Sequence, residues 1–159
     1  MKNSTLIFLL SLLVLWGCNN APATLTDAEK EQIEAEVFEQ FNISGQGIEE
    51  KDAAKAFSVF STQEGVKYIR NGHLYPTIET AEKQYAEWFT ASQDAPKQTL
   101  TSDPILFDIL DRNTVILTTI GSLKAENDTA SQPWVIAYTM VWRKEDSGWK
   151  LFHMHNSWE

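Results

Sequence analysis

The run GWKLFHMHNSWE, residues 148–159, decides how this chain is read. Two of the protein's three histidines stand here one residue apart, between Trp149 and Trp158. Chain ends fray unless an element holds them, and a run so rich in aromatic and apolar residues reads as a strand tied into a sheet. Working back toward the N-terminus, PWVIAYTMVWR, TVILTTIGSLKA and QTLTSDPILFDIL have the same texture, separated by polar turns at 145–148, 127–132 and 111–113. Four consecutive strands joined this closely must pair antiparallel, because parallel neighbours need long crossovers.

Before Pro96 the pattern is helical. Thr26 and Glu29 have the spacing of a capping box, and Ile33, Val37, Phe38 and Phe41 fall on one helical stripe. Glu29, Glu31, Glu34, Glu36 and Glu39 fill the opposite face, which reads as solvated. NISGQG, residues 42–47, is expected to break this helix, since two close glycines loosen the backbone. A second helical stretch then runs from Ile48 to about Ser61, with Ala53, Ala56, Phe57 and Phe60 on its apolar side. Asn71-Gly72 between β-type residues signals a two-residue hairpin. Pro76 ends that hairpin, and Thr77 caps a third helix carrying Ile78, Ala81, Tyr85, Trp88 and Phe89 at helical intervals. Helices first and strands afterwards predict an α+β fold, with the helices gathered on one face of a single sheet.

The chain opens with MKNSTLIFLLSLLVLWGC. Its apolar run is too short for a membrane span, which needs about 20 residues, and fits the roughly 7 to 15 of a secretion signal. Leu15-Trp16-Gly17-Cys18 resembles a bacterial lipobox, with an atypical Trp, so residues 1–17 are expected to be a lipoprotein signal peptide. Cys18, the only cysteine, is the expected lipidation point, where acyl chains such as palmitate would anchor the protein to the membrane. Residues 18–25 then form the lipidated cysteine and a tether, and residues 26–159 a single domain. The expected address is the bacterial cell envelope, and its outer membrane where the cell has two, because Asn19 lacks the charge of an inner-membrane retention signal. The formal net charge of −9, without any Lys/Arg cluster, argues against nucleic acid as a partner.

Two helices, an Asn-Gly hairpin, a third helix and four long strands ending in Trp149-Lys150-Leu151-Phe152-His153-Met154-His155-Asn156-Ser157 resemble the nuclear transport factor 2-like superfamily and its SnoaL-like branch. The resemblance spans residues 26–159 in order and length. It implies a cone-shaped α+β fold: about three N-terminal helices packed on a curved antiparallel sheet of four long strands plus a short hairpin, with a pocket at the wide end. It also implies a homodimer in many members. The superfamily contains isomerases, dehydratases, hydrolases, cyclases and non-catalytic binding domains, so membership assigns no reaction.

Side chains alternate across a strand, which places Trp149, Leu151, His153, His155 and Ser157 on one face and Lys150, Phe152, Met154, Asn156 and Trp158 on the other. Both sets contain apolar residues. In the preceding strand, Trp134, Ile136, Tyr138, Met140 and Trp142 share one face, while Val135, Ala137 and Val141 keep the other apolar too. Such a sheet is expected to be covered twice, by the helices and by a second copy of the chain on its outer face; the alternative is one unusually apolar exposed sheet. By analogy with the family ending, His153 and His155 turn toward the helices, about 6.5 to 7 Å apart at the backbone. They are then structural histidines, or groups that bind or shuttle a proton for a ligand. Metal binding is disfavoured, since only His73 or a carboxylate is left to complete a zinc set.

The expected function is binding of a small, largely apolar ligand in an aromatic pocket walled by Trp88, Phe89, Tyr138 and Trp142, with Tyr68 and Arg70 contributed by the hairpin. The first alternative is an acid/base lyase, isomerase or hydrolase with His155 or His153 catalytic, drawing on Asp103, Asp108, Tyr138, Tyr68 or Arg70. The second is a non-catalytic dimeric scaffold. No nucleophile motif, phosphate loop or cofactor fingerprint occurs, and no cofactor is expected.

Overall fold

The computed structural model describes residues 24–96, 98–125 and 132–158. The signal segment 1–17, Cys18, all of the tether but Thr24 and Leu25, and most of the loop 127–132 lie outside the described residues. The elements run α1 (Asp27–Glu50), α2 (Ala53–Phe57), β1 (Lys67–Arg70), β2 (His73–Leu74), α3 (Ile78–Ala91), β3 (Gln98–Asp111), β4 (Thr114–Ala125), β5 (Trp134–Glu145) and β6 (Gly148–Trp158). The strands form one sheet in the order β2-β1-β6-β5-β4-β3. It is curved and unclosed, with the three helices packed on it, which is the expected α+β architecture.

The long strands pair antiparallel, and β1 joins β6 in parallel. The terminal strand is therefore interior to the sheet, between β1 and β5. Ahead of β1, the segment after α2 supports the same edge: Leu151 N donates to Val59 O at 2.8 Å, and Ser61 N donates to Leu151 O at 3.0 Å. Asn71 and Gly72 adopt φ values of 49° and 76°, the left-handed pair that a two-residue hairpin turn requires. The Thr77 hydroxyl accepts from Thr80 N at 3.2 Å and caps α3.

One expectation is overturned in the first helix. α1 runs unbroken through residues 42–47, and α2 is five residues long rather than reaching Ser61. Gly47 is a point of contact, not a break. A Cβ there would stand 2.6 Å from Ala56 Cα and meet Ala56 N as well, so α2 crosses α1 over bare backbone. Burial of Ile33, Val37 and Phe41 stabilises α1 by about 1.5 to 3 kcal/mol each, more than the roughly 1 kcal/mol that each glycine costs a helix. The helix ends instead at Lys51, in the left-handed region with φ 58°, and Asp52 caps α2 by accepting from Lys55 N at 2.9 Å.

The acidic face of α1 is also not simply solvated. Glu36 Oε2 accepts from Lys144 Nζ and from Trp149 Nε1, both at 2.8 Å, and Glu29 pairs with Arg112. Bonds from Lys144, Gln32 and Trp149 hold the Glu36 carboxyl down at about 2; those from Arg112 and Thr26 do the same for Glu29, also to about 2. These contacts clip α1 onto the turn end of the β3–β4 and β5–β6 hairpins. Val115, Trp142 and Trp149 are all buried at that end of the sheet.

Candidate functional site

The geometry of β6 sets what faces the helices. Val141 pairs with His153, but Trp142 pairs with Leu151, leaving Phe152 without a partner on β5. An extra residue on one strand is a β-bulge, and it shifts the alternation by one. Trp149 and Leu151 are buried on the inner face. Beyond the bulge Met154, Asn156 and Trp158 take that face, opposite the inward Met140, Tyr138 and Ile136. His153, His155 and Ser157 turn outward.

The expectation that both imidazoles face the helices is therefore corrected. His155 is exposed, opposite Thr139 and beside Ile69; His153 is half-buried, opposite Val141 and beside Lys67. Neither lines the hollow behind the sheet.

That hollow is a cavity of about 70 Å³. The helices supply Phe41, Ile48, Phe57, Tyr85 and Trp88, and the sheet supplies Tyr68, Arg70, Tyr138, Met140, Asn156 and Trp158. Strand pairing explains the convergence: Tyr68 and Arg70 stand beside Met154 and Asn156 on the parallel β1–β6 ladder. Gly121 makes room for Tyr138, since a Cβ there would lie 3.3 Å from the ring. Of the wall residues predicted from sequence, Trp88, Tyr138, Trp142, Tyr68 and Arg70 line the cavity. Phe89 does not; it is buried behind the wall, its ring 5.1 Å from that of Trp88 and 5.8 Å from that of Tyr85. A groove of about 260 Å³ adjoins on the side of α1 and β3, and Phe41, Gly45 and Leu100 border both spaces.

The cavity's polar groups are few. Tyr68 Oη and Tyr85 Oη share a hydrogen bond of 2.7 Å, and Asn156 Nδ2 donates to Tyr68 Oη at 3.5 Å. Burial raises the pKa of Tyr68, and Tyr85 beside it adds to the rise; burial likewise raises Tyr85 and Tyr138. All three phenols thus stay neutral at physiological pH and serve as hydrogen-bonding groups. The Arg70 guanidinium lies over the Trp158 ring at 3.9 Å, with Tyr85 at 4.9 Å and Trp88 at 5.9 Å. Neither a carboxylate nor an imidazole lines the cavity among the described residues. Asp103, Asp108 and His73 are exposed and lie away from it, and no group of three metal-ligating side chains occurs among the described residues.

Sequence reasoning missed Met154, Asn156 and Trp158 by one position of strand phase, and it read Tyr85 only as part of a helical stripe. The available signal is the apolar pair Phe152 and Met154 interleaved with the polar histidines.

Residues 38–158 match the family model of the SnoaL-like domain. The chain belongs to the SnoaL-like family. Its structure matches the fold of the nuclear transport factor 2-like family. A candidate dehydratase of that family from Streptomyces avermitilis aligns with TM-score 0.67 at 15% identity, over 80% of this chain and 96% of that one. A nuclear transport factor 2-like superfamily protein from Salmonella enterica serovar Typhimurium LT2 aligns with TM-score 0.66 at 19% identity, over 80% and 92%. A candidate calcium/calmodulin-dependent protein kinase II association domain from Xanthomonas campestris aligns with TM-score 0.61 at 14% identity, over 77% and 84%. At these identities the likeness is one of fold. No curated protein matches the chain.

Proposed function

We propose that this SnoaL-like protein is lipid-anchored in the bacterial cell envelope and binds one small, largely apolar ligand in its aromatic cavity. The observation that carries the reading is the wall itself: aromatic and aliphatic side chains from two helices and the sheet enclose a hollow with a few convergent polar groups, the usual make-up of a small-molecule site. The signal-like segment and the lone Cys18 support the anchor.

Binding is favoured over acid/base catalysis by what lines the cavity. Proton abstraction near neutral pH needs a group that titrates there, and the described lining offers neutral phenols and a guanidinium instead. His155, the base of the enzymatic alternative, stands on the opposite face of the sheet. On that outer face Leu106, Leu110, Ile120 and Val135 are 47 to 62% exposed. Together with Ala137 and Val141 they form an apolar surface suited to a second copy of the chain.

Native mass spectrometry of the chain recovered from envelopes reports bound small molecules and oligomeric state together. A dimer carrying a small molecule is the expected spectrum; an empty monomer would refute both the ligand and the dimer.

A further inference from the structure

Arg70 is the one cationic side chain lining the cavity among the described residues, and its surroundings define a recognition problem. Alternation on β1 sends it inward next to Asn156. The hairpin turn fixes what lies against it: Asn71 N donates to Asn156 O at 2.9 Å, and Trp158 N donates to Asn71 Oδ1 at 3.0 Å. These bonds lock the end of β6 to the turn, and the Trp158 ring comes to lie 3.9 Å from the guanidinium carbon.

Stacking satisfies the face of a guanidinium and leaves its edge. The five N–H donors lie in the plane of the group, and none of them meets an acceptor or a carboxylate among the described residues. A half-buried cation beside aromatic walls gains from cation–π contact, and its N–H edge, still reached by solvent, is open to an acceptor that a ligand brings. A chain of net charge −9 has many carboxylates, yet none among the described residues lines this cavity.

From this we infer that the ligand is a monocarboxylate with a slim apolar tail, its carboxylate gripped edge-on by Arg70 and the tail lying in the aromatic hollow. This inference rests on the ligand-binding reading of the same cavity. A carboxylate matches the guanidinium fork in two parallel bonds. A dianionic phosphate would bring a second charge into a wall that has no second cation among its described residues. The volume limits the tail: about 70 Å³ is roughly half the 150 Å³ apolar hole known to admit benzene, which suits a short aliphatic chain and excludes fused rings. Tyr138 and Met140 border the same hollow, and the Tyr68–Tyr85 pair adds neutral hydroxyls to its wall.

Butanoate and butanamide share a carbon chain short enough for the hollow and differ in charge, so they test the inference directly by calorimetric titration of the full chain. Butanoate is expected to bind at least tenfold more tightly than butanamide. In Arg70→Met that preference should vanish while butanamide binding persists, and Arg70→Lys should restore only part of it, because an ammonium lacks the fork. Equal binding of the two probes to the unaltered chain overturns the role of Arg70 and leaves the apolar pocket standing. Binding of neither probe overturns the pocket reading and this inference with it.

Discussion

Two glycines two residues apart on α1 should respond to alanine with opposite signs. At Gly45 an added Cβ meets nothing within 4 Å, so Gly45→Ala gains the helix-propensity difference, about 0.5 to 1 kcal/mol. At Gly47 the same methyl would lie 2.6 Å from Ala56 Cα and 2.9 Å from Ala56 Cβ, as well as meeting Ala56 N. The obstacle is mostly backbone, which cannot swing aside as a long side chain does. Forcing α2 away costs about 1 to 3 kcal/mol, as for other overpacked cores, and the propensity gain offsets only part of it. The net expectation for Gly47→Ala is a loss of up to about 2 kcal/mol, and the two variants differ by the overpacking cost alone, roughly 1 to 3 kcal/mol. Urea unfolding measures this as displacements of the midpoint in opposite directions at constant slope. If both variants gain stability, α2 does not cross α1 at Gly47. If both are neutral, the helix ends near Asn42, as local propensity alone would have it.

Glu36 should shape the acid limb of stability. Its carboxyl sits at about 2 in the folded protein, against 4.5 ordinarily, so its contribution is complete above about pH 5 and disappears as pH falls toward 2. Glu36→Gln should flatten that limb in urea unfolding at graded pH and cost about 1 kcal/mol at pH 7, a figure held down by solvent screening; superimposable limbs would refute this. Tyr68→Phe leaves the buried Tyr85 hydroxyl without its partner at 2.7 Å and should cost about 1 to 2 kcal/mol. Adding Tyr85→Phe should then cost little more, a coupling that a double-mutant cycle measures and strict additivity would contradict. His155→Ala should leave butanoate affinity unchanged, since the ring lies outside the cavity; a tenfold loss would return the histidine to the site. Ile120→Asp on the outer face should convert a dimer to monomer in analytical ultracentrifugation without altering the unfolding midpoint of the isolated subunit.

What the sequence could reveal depended on how local the determining physics was. Caps and turns are decided within four residues, and Thr26, Asn71-Gly72 and Thr77 all occur where they were read. The strand count was equally plain, because four apolar runs with short polar connections admit few arrangements. Two of the errors, the break expected at residues 42–47 and the face given to the histidines, arose where a distant segment overrode a local rule. The glycines of NISGQG look like a break until α2 is seen resting on Gly47, a contact made by residues nine positions further on.

The second error fixed the wrong side of the functional strand. Period-2 reasoning holds only while each residue has a partner, and Phe152 has none on β5. From Leu151 onward the alternation is displaced by one, and every later residue exchanges faces: the histidines go out, while Met154, Asn156 and Trp158 come in. The bulge occurs where the neighbour of β6 changes, from the Val59–Ser61 segment bonded at Leu151 to β1 paired from His153 onward. A strand that must satisfy two successive neighbours can take up a mismatch between them by setting one residue outside the ladder. The cavity's chemistry follows from that residue. With Phe152 in register, two imidazoles would face Tyr138 and Met140; with it unpaired, the same strand offers an amide, a thioether and an indole, and Arg70 becomes the one charged group among the described residues that can orient a ligand.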